Sequence, residues 1–506
     1  MEEEGLLHME EGSSQSHPPN QLVLSRFLQF PDTMGSGEVL LSRFVEFQDE
    51  IAELIKERGL PPLHSTVAVA LEGIPTSDRQ AVTQREVMRY RQEVEKPAED
   101  ALRERKLRCP SSVKKVPVAI TGGDDPVSYG QALDGIEPRL VVIAQAPVVS
   151  SLVLRVSWPL YSPLHSFPRG AYISSAHGNM LALYVGPYLP CLSSQGFYLA
   201  YDVCANSISV IPRLPSGSVS MFSHAGIGTG VAILSMSGMR DFFLVELLLR
   251  KVQGRPSCQG TLFKWRSSGP AANQWIQNEV VLPLPIEPQE HTSVASCTFR
   301  ADVVSVFGSH GVFWADLLHG ILICNDLSLA NPAFHFVSLP ISVDKPGLED
   351  KEMAAMHRSV CFLNDTFNFI AIDSNAQGDP NDPIITIWAL KVKDINIPTW
   401  LKVFSCHFHS SMVGEVYKGM KPMFPVLSLA YESTIYVTAV PDLGLDGRLE
   451  ELVWHVLCIN WKSCRVVNVF HGDGCVPANL LATVFSSFQQ KVTPMSLLES
   501  HLKTVW

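Results

Sequence analysis

The sequence predicts an all-β protein, a β-propeller-like array of about five to seven four-stranded blades. Three observations carry this. From Pro138 onward short apolar runs recur about twenty times, each bounded by Pro, Gly, Asn or Asp, as half-buried strands and their turns are. The composition agrees: 46% of the 506 residues are hydrophobic and only 18% charged, with 35 Pro and 33 Gly. Helices would carry more Glu and Lys on their wet faces, and a globular chain averages about a quarter charged residues. Several strand groups also close alike, with Leu-Pro after the last apolar run, at Leu214-Pro215, Leu282-Pro283 and Leu339-Pro340. A proline there cannot extend the ladder and marks a sheet edge. A single sandwich has too few strands for this count. Neither Trp-Asp dipeptides nor the double-Gly strand ends of kelch blades occur, so the blade type is nonstandard.

Taken in order, residues 1–37 form an acidic tail (Glu2, Glu3, Glu4, Glu10, Glu11) that is expected to be disordered. A short duplication begins within it. Residues 21–32 and 38–49 share Leu24/Leu41, Ser25/Ser42, Arg26/Arg43, Phe27/Phe44, Phe30/Phe47 and Asp32/Asp49. This reads as a duplicated strand of which one copy finds a place in the sheet; the functional alternative is a doubled docking peptide. Residues 38–75 hold opening strands, with a short helix over 50–60 and a strand over 66–70. Residues 76–139 form a polar insertion, charged and helix-favouring at 84–96 and 98–108, rich in Gly and Asp at 121–135. The propeller-like domain is expected over 140–476. Residues 477–506 read as a helical tail, because Leu480, Leu481, Val484, Phe485 and Phe488 share one helical face.

The charge balance, 39 basic against 50 acidic residues for a net −11, argues against a nucleic-acid binder that works by neutralising phosphates. The uncharged run 214–239 is too rich in Gly and Ser for a membrane helix, so no membrane role is expected. The acidic N-terminus lacks the basic flank and apolar core of a secretory signal. The 11 cysteines include no Cys-x-x-Cys pair. Reduced cysteines and a cytoplasmic or nuclear location are the expectation.

The most specific stretch is 311–327, where Val312-Phe313-Trp314 and Ile321-Leu322-Ile323-Cys324 flank a turn at His319-Gly320. The spacing predicts a tight antiparallel hairpin, with Gly320 supplying positive φ. Asp316 is expected to accept hydrogen bonds from the amides of the turn. Residues 313–327 resemble the signature of the plant family called domain of unknown function 1618, roughly aromatic-Trp-x-Asp-Leu-x-x-Gly-Ile-Leu-x-Cys-Asp. This chain has one more residue before the Gly, and Asn325 precedes the Asp. Ala146-Pro147-Val148-Val149-Ser150, Leu40-Leu41-Ser42-Arg43 and 424–437 are similar to other strands of that family. The resemblance makes Trp314, Asp316, Leu317, Gly320 and Cys324 signature residues with structural roles. It implies a propeller like those found behind F-boxes, although residues 1–60 lack an F-box start. It supplies no catalytic residue.

No nucleophile elbow, phosphate-binding loop or His-Glu-x-x-His helix is present. Gly226-Ile227-Gly228-Thr229-Gly230 has the wrong spacing for a dinucleotide loop and reads as a turn. His407 and His409 are the best metal candidates, since alternate strand positions share a face. No third ligand lies near in sequence; His471 or Cys475 would approach only through the fold, and an exposed histidine pair is the simpler reading. No cofactor is expected. The chain therefore reads first as a non-enzymatic protein-interaction module with unidentified protein partners. Second comes a ubiquitin-ligase substrate receptor, third an enzyme using the propeller channel.

Overall fold

A computed structural model describes residues 38–484 apart from segments at 76, 119–128, 142–145, 159–169, 187–195, 216–226, 237–240, 253–254, 270–271, 286–298, 342–353, 374–381, 392–397, 414–416, 418, 442–452 and 474–479. The first repeat copy, 21–32, lies outside the described residues; the second copy forms β1 (Glu38–Ser42) and β2 (Phe44–Asp49). Asp49 then caps α1 (Glu50–Glu57), its Oδ1 accepting the amides of Ile51 and Ala52 at 3.0 Å.

The expected strand at 66–70 is instead part of a helix, α2 (Leu63–Ala70). Pro62 sits at the N-cap and the Thr66 hydroxyl donates back to the Pro62 carbonyl at 3.3 Å. The polar insertion is a long helical stretch, α3 (Arg79–Tyr90), a π-helical turn over Arg91–Glu95, and α4 (Lys96–Arg108). Pro97 has no amide to bond the preceding turn, which explains the widened register there. Ile51, Ile55, Ala98 and Leu102 bury α1 against α4. The buried Glu50 carboxylate adds ion pairs to Lys106 of α4 at 2.6 Å and to Arg155 at 2.5 Å.

Then follow β3 (Lys114–Lys115), α5 (Tyr129–Asp134), β4 (Ile136–Val141) and β5 (Val149–Val156). An antiparallel meander comes next: β6 (Gly170–His177), β7 (Met180–Val185), β8 (Phe197–Asp202) and β9 (Ser207–Ile211). Four separate four-stranded meanders continue the chain. They are β10 (Val231–Ser235), β11 (Phe242–Val252), β12 (Arg255–Arg266) and β13 (Trp275–Val281); β14 (Val303–Phe307), β15 (Gly311–Asp316), β16 (Gly320–Cys324) and β17 (Phe334–Ser338); β18 (Arg358–Leu363), β19 (Thr366–Asp373), β20 (Ile384–Lys391) and β21 (Leu401–His407); and β22 (Met420–Leu427), β23 (Thr434–Pro441), β24 (Val453–Asn460) and β25 (Arg465–Asp473).

The last described element is β26 (Leu480–Val484), antiparallel to β1 with Glu38 opposite Val484 and Ser42 opposite Leu480. This corrects the helical tail expected over 477–506, at least for 480–484; residues 485–506 lie outside the described residues. β1 therefore sits between the C-terminal β26 and β5, and β2 continues the same sheet to β6.

The packing is β-rich and propeller-like. Apolar clusters lie between successive four-stranded sheets, because strand side chains alternate in direction. Val312 and Trp314 face the β10–β13 sheet, whereas Phe313 and Ala315 face β18–β21. Phe313 meets Phe367 edge-on at 5.3 Å. The ring of clusters closes where Leu40, Leu480 and Ala482 pack on Val426, Tyr436 and Trp454.

Candidate functional site

Strands β6, β14, β18 and β22, each the first of its meander, line a cavity of about 670 Å³, with contributions from Thr229 ahead of β10, the β1–β2 corner and β26. Volumes of this size suit small-molecule or peptide-anchor binding. One mouth is built around the signature hairpin. Asp316 is fully buried at the end of β15. Its Oδ2 accepts the Arg300 amide at 2.7 Å; its Oδ1 accepts those of Leu318 at 3.0 Å and His319 at 3.3 Å, and faces His319 Nδ1 at 2.9 Å. Asp302 accepts the Leu317 amide at 3.0 Å and pairs with Arg300 at 3.1 Å. Arg358 donates to the Leu317 carbonyl at 3.1 Å. The three-residue turn is thus tied to the starts of β14 and β18.

The signature residues divide accordingly. Trp314 is buried and its indole N–H donates to Gly230 O at 2.9 Å, linking two sheets. Gly320 opens β16 rather than occupying the turn, and its φ is not left-handed. Glycine is required there by space: a Cβ would meet the Phe336 ring at 2.4 Å and Val337 O at 2.5 Å. Burial pushes the Cys324 thiol up to about 11, which leaves it inert near neutrality. Leu317 alone of the five lines the cavity. Of the Gly226–Gly230 stretch, 227–230 are described and form a turn, in which Gly228 has φ +81 and lies against the Tyr184 ring, too close for any side chain.

His407 and His409 do not share a strand face. β21 ends at His407 and a π-helical turn starts at Phe408. His407 Nδ1 lies 3.5 Å from Asp382, whose other oxygen accepts the His409 amide at 2.7 Å. His471 is engaged elsewhere, 2.6 Å from His455. Among the described residues no group of three or more His, Cys, Asp or Glu is placed to hold a metal.

Sequence reasoning missed the charged groups and the histidine of the cavity lining, Arg43, His177, Arg300, Asp302 and Arg358. Arg43 sits at the corner between β1 and β2 and is 4% exposed. Its Nη1 donates to the carbonyls of Ser174 at 2.7 Å and Ile173 at 3.2 Å, and its guanidinium lies 5.8 Å from the Tyr172 ring centre. A signal did exist, since the Arg recurs in both repeat copies, as Arg26 and Arg43. At the far end His177 Nδ1 accepts the Ser235 amide at 3.0 Å, and burial lowers its pKa, so the ring is neutral with its proton on Nε2.

Residues 314–436 match the family model described as Protein of unknown function (DUF1618). The match supports that family where the hairpin signature lies, and runs from β15 into β23. No curated protein matches the chain. Among solved structures the chain is similar to a GH43 β-1,3-galactosidase with galactodeoxynojirimycin, at 11% identity over 58% of this chain and 91% of that one, with a TM-score of 0.29. It is similar also to a Bombyx mori GH32 β-fructofuranosidase, at 10% identity over 63% of each chain and a TM-score of 0.27. A Podospora anserina α-L-arabinofuranosidase in complex with cellotriose gives 10% identity, 72% and 96% coverage, and a TM-score of 0.24. At these scores the likenesses carry no statement about chemistry.

Proposed function

We propose that this chain is a non-enzymatic plant protein-interaction module of the cytoplasm or nucleus, a six-bladed propeller-like scaffold. Five blades are the successive meanders from β6 to β25; the sixth joins β26, β1, β5 and β4. The observation that carries the interaction reading is that the described ends of three long inter-sheet connections line the channel. The segments 212–230, 282–302 and 339–357 end at Thr229, at Arg300 to Asp302 and beside Arg358, all of which line it. Long loops on a rigid frame are where binding specificity is built. The channel chemistry supports binding over hydrolysis. Asp302 is the one carboxylate among the described lining residues, and it already serves the Leu317 amide and Arg300. Glycoside hydrolysis ordinarily uses a pair of carboxylates.

The test is affinity purification of the tagged full-length chain with mass spectrometry. It is run beside a chain in which 286–298 is replaced by a Gly-Ser linker and beside one truncated after Val484. A recurrent partner set that depends on the loop supports the proposal; no specific partner in any sample overturns it. A ubiquitin-ligase substrate receptor is the second reading, favoured by the helical segment between β2 and β3, where Val69, Met88 and Leu107 are exposed. Recovery of ligase-adaptor subunits, lost on mutation of those three positions to Ser, would select it.

A further inference from the structure

We infer that the channel contains an anion-binding site centred on Arg43, taking a small organic anion that presents a carboxylate or phosphate. This goes beyond the interaction reading and does not depend on it.

Arg43 is a cation removed from water, at 4% exposure. Burying an unpaired charge is costly, and side chains like it are ordinarily held by a carboxylate. Here its partners are the carbonyls of Ile173 and Ser174 and the face of Tyr172, all uncharged. Among the described residues it forms no ion pair. The buried carboxylate of the preceding strand β1, Glu38, is occupied by Ser428 Oγ at 2.7 Å, Leu429 N at 2.6 Å and the Tyr436 hydroxyl at 2.9 Å. The carbonyl bonds engage Nη1, while the residue lines the channel. That leaves the rest of the guanidinium fork for a planar or tetrahedral oxyanion.

The surroundings have the same sign. Three guanidinium groups line the cavity against one carboxylate, Asp302, and that one is paired with Arg300. Arg358 has the half-buried Asp373 within electrostatic reach, so Arg43 is where the excess positive charge is least offset. The cavity of about 670 Å³ is large enough for an organic anion with an apolar portion, which Phe44, Val306 and Leu481 would contact. Burial shields such a pair from salt, so binding should persist at physiological ionic strength, where the Debye length is about 8 Å.

The experiment is isothermal titration calorimetry of the full-length protein with inorganic phosphate and, separately, citrate, each in chloride buffer at constant ionic strength. The expected result is saturable one-to-one binding of at least one probe. The affinity falls at least tenfold in Arg43→Met and is unchanged in Arg105→Met, which removes an exposed arginine of α4. A merely structural Arg43 predicts the reverse: Arg43→Met loses thermal stability while probe binding stays as in the wild type. Should Arg43→Met fail to fold, Ser359→Asp adds a carboxylate to the lining without removing Arg43, and the same tenfold loss is expected. No saturable binding of either probe to the wild type, or equal affinity in the variants, overturns the site.

Discussion

Glu38 fastens two parts of the chain that are almost 400 residues apart in sequence, at separations of 390 to 398 from its partners. It is fully buried, and its oxygens accept from Ser428, Leu429 and Tyr436. Glu38→Ala strands three donors and should cost about 3 kcal/mol in urea unfolding, with Glu38→Gln costing less because one oxygen still accepts. Glu246 is a second buried carboxylate, on β11, held by the Gly228 amide at 2.7 Å and by the Tyr198 hydroxyl. Burial raises its pKa from 4.5 to about 7, against the lowering effect of those two donors. Between these values the unfolded chain has released the proton while the folded chain still holds it. Stability from this group is therefore complete below about pH 4.5 and declines until about pH 7, by about 3 kcal/mol in total. The difference in unfolding free energy between wild type and Glu246→Gln, followed from pH 4.5 to 8, should show that decline; a flat difference refutes it. Neither residue is legible in the sequence. An acidic residue in an apolar strand looks like a wet-face position until the fold supplies its donors. Asp316 was legible because its donors are its own neighbours at Leu318 and His319.

At the scale of elements, the sequence resolves what local pattern decides. Most strands from β4 to β25 stand between turn residues, and the repetition makes each assignment cheap; β6, whose Gly-Ala-Tyr-Ile-Ser-Ser-Ala-His run holds few bulky apolar residues, escaped that reading. Two short apolar runs went astray. Thr66–Ala70 and Leu480–Val484 each span about one helical turn or one short strand, too few residues for periodicity to choose. The first had no strand to pair with and became helix beside α3. The second had β1 waiting, 38 residues from the start of the chain, a partner no local window can see. The helical insertion is legible as helix, but its docking is not, since that depends on Glu50 meeting Lys106 and Arg155. Removing one member of a buried ion cluster leaves the others uncompensated. Glu50→Ala should cost about 3 kcal/mol and release α4 locally, read as faster amide hydrogen exchange over 96–108 than over β15. Equal protection of 96–108 in wild type and variant would show that Ile51, Ile55, Ala98 and Leu102 hold the helix alone.

For the whole molecule the decisive fact is that the ring of sheets is closed by strands from both ends of the described chain. β26 is the only element that pairs β1 on its outer side among the described residues, and Leu480 and Ala482 fill the last inter-sheet core with Leu40 and Tyr436. A closed ring shares strain and burial around its circumference, so opening one joint weakens every sheet next to it. Truncation after Pro477 removes the strand, whereas truncation after Val484 keeps it, and the difference between the two isolates the closure. Loss of two core side chains and of the β1 pairing should lower the urea unfolding free energy by roughly 4 kcal/mol. The exposed edge of β1 should also make the shorter chain self-associate. If the two truncations unfold at the same midpoint and remain equally monomeric in sedimentation, the ring does not depend on its last strand. In that case the cavity walls contributed by β26 are not fixed, and the channel loses its claim to be a preformed site.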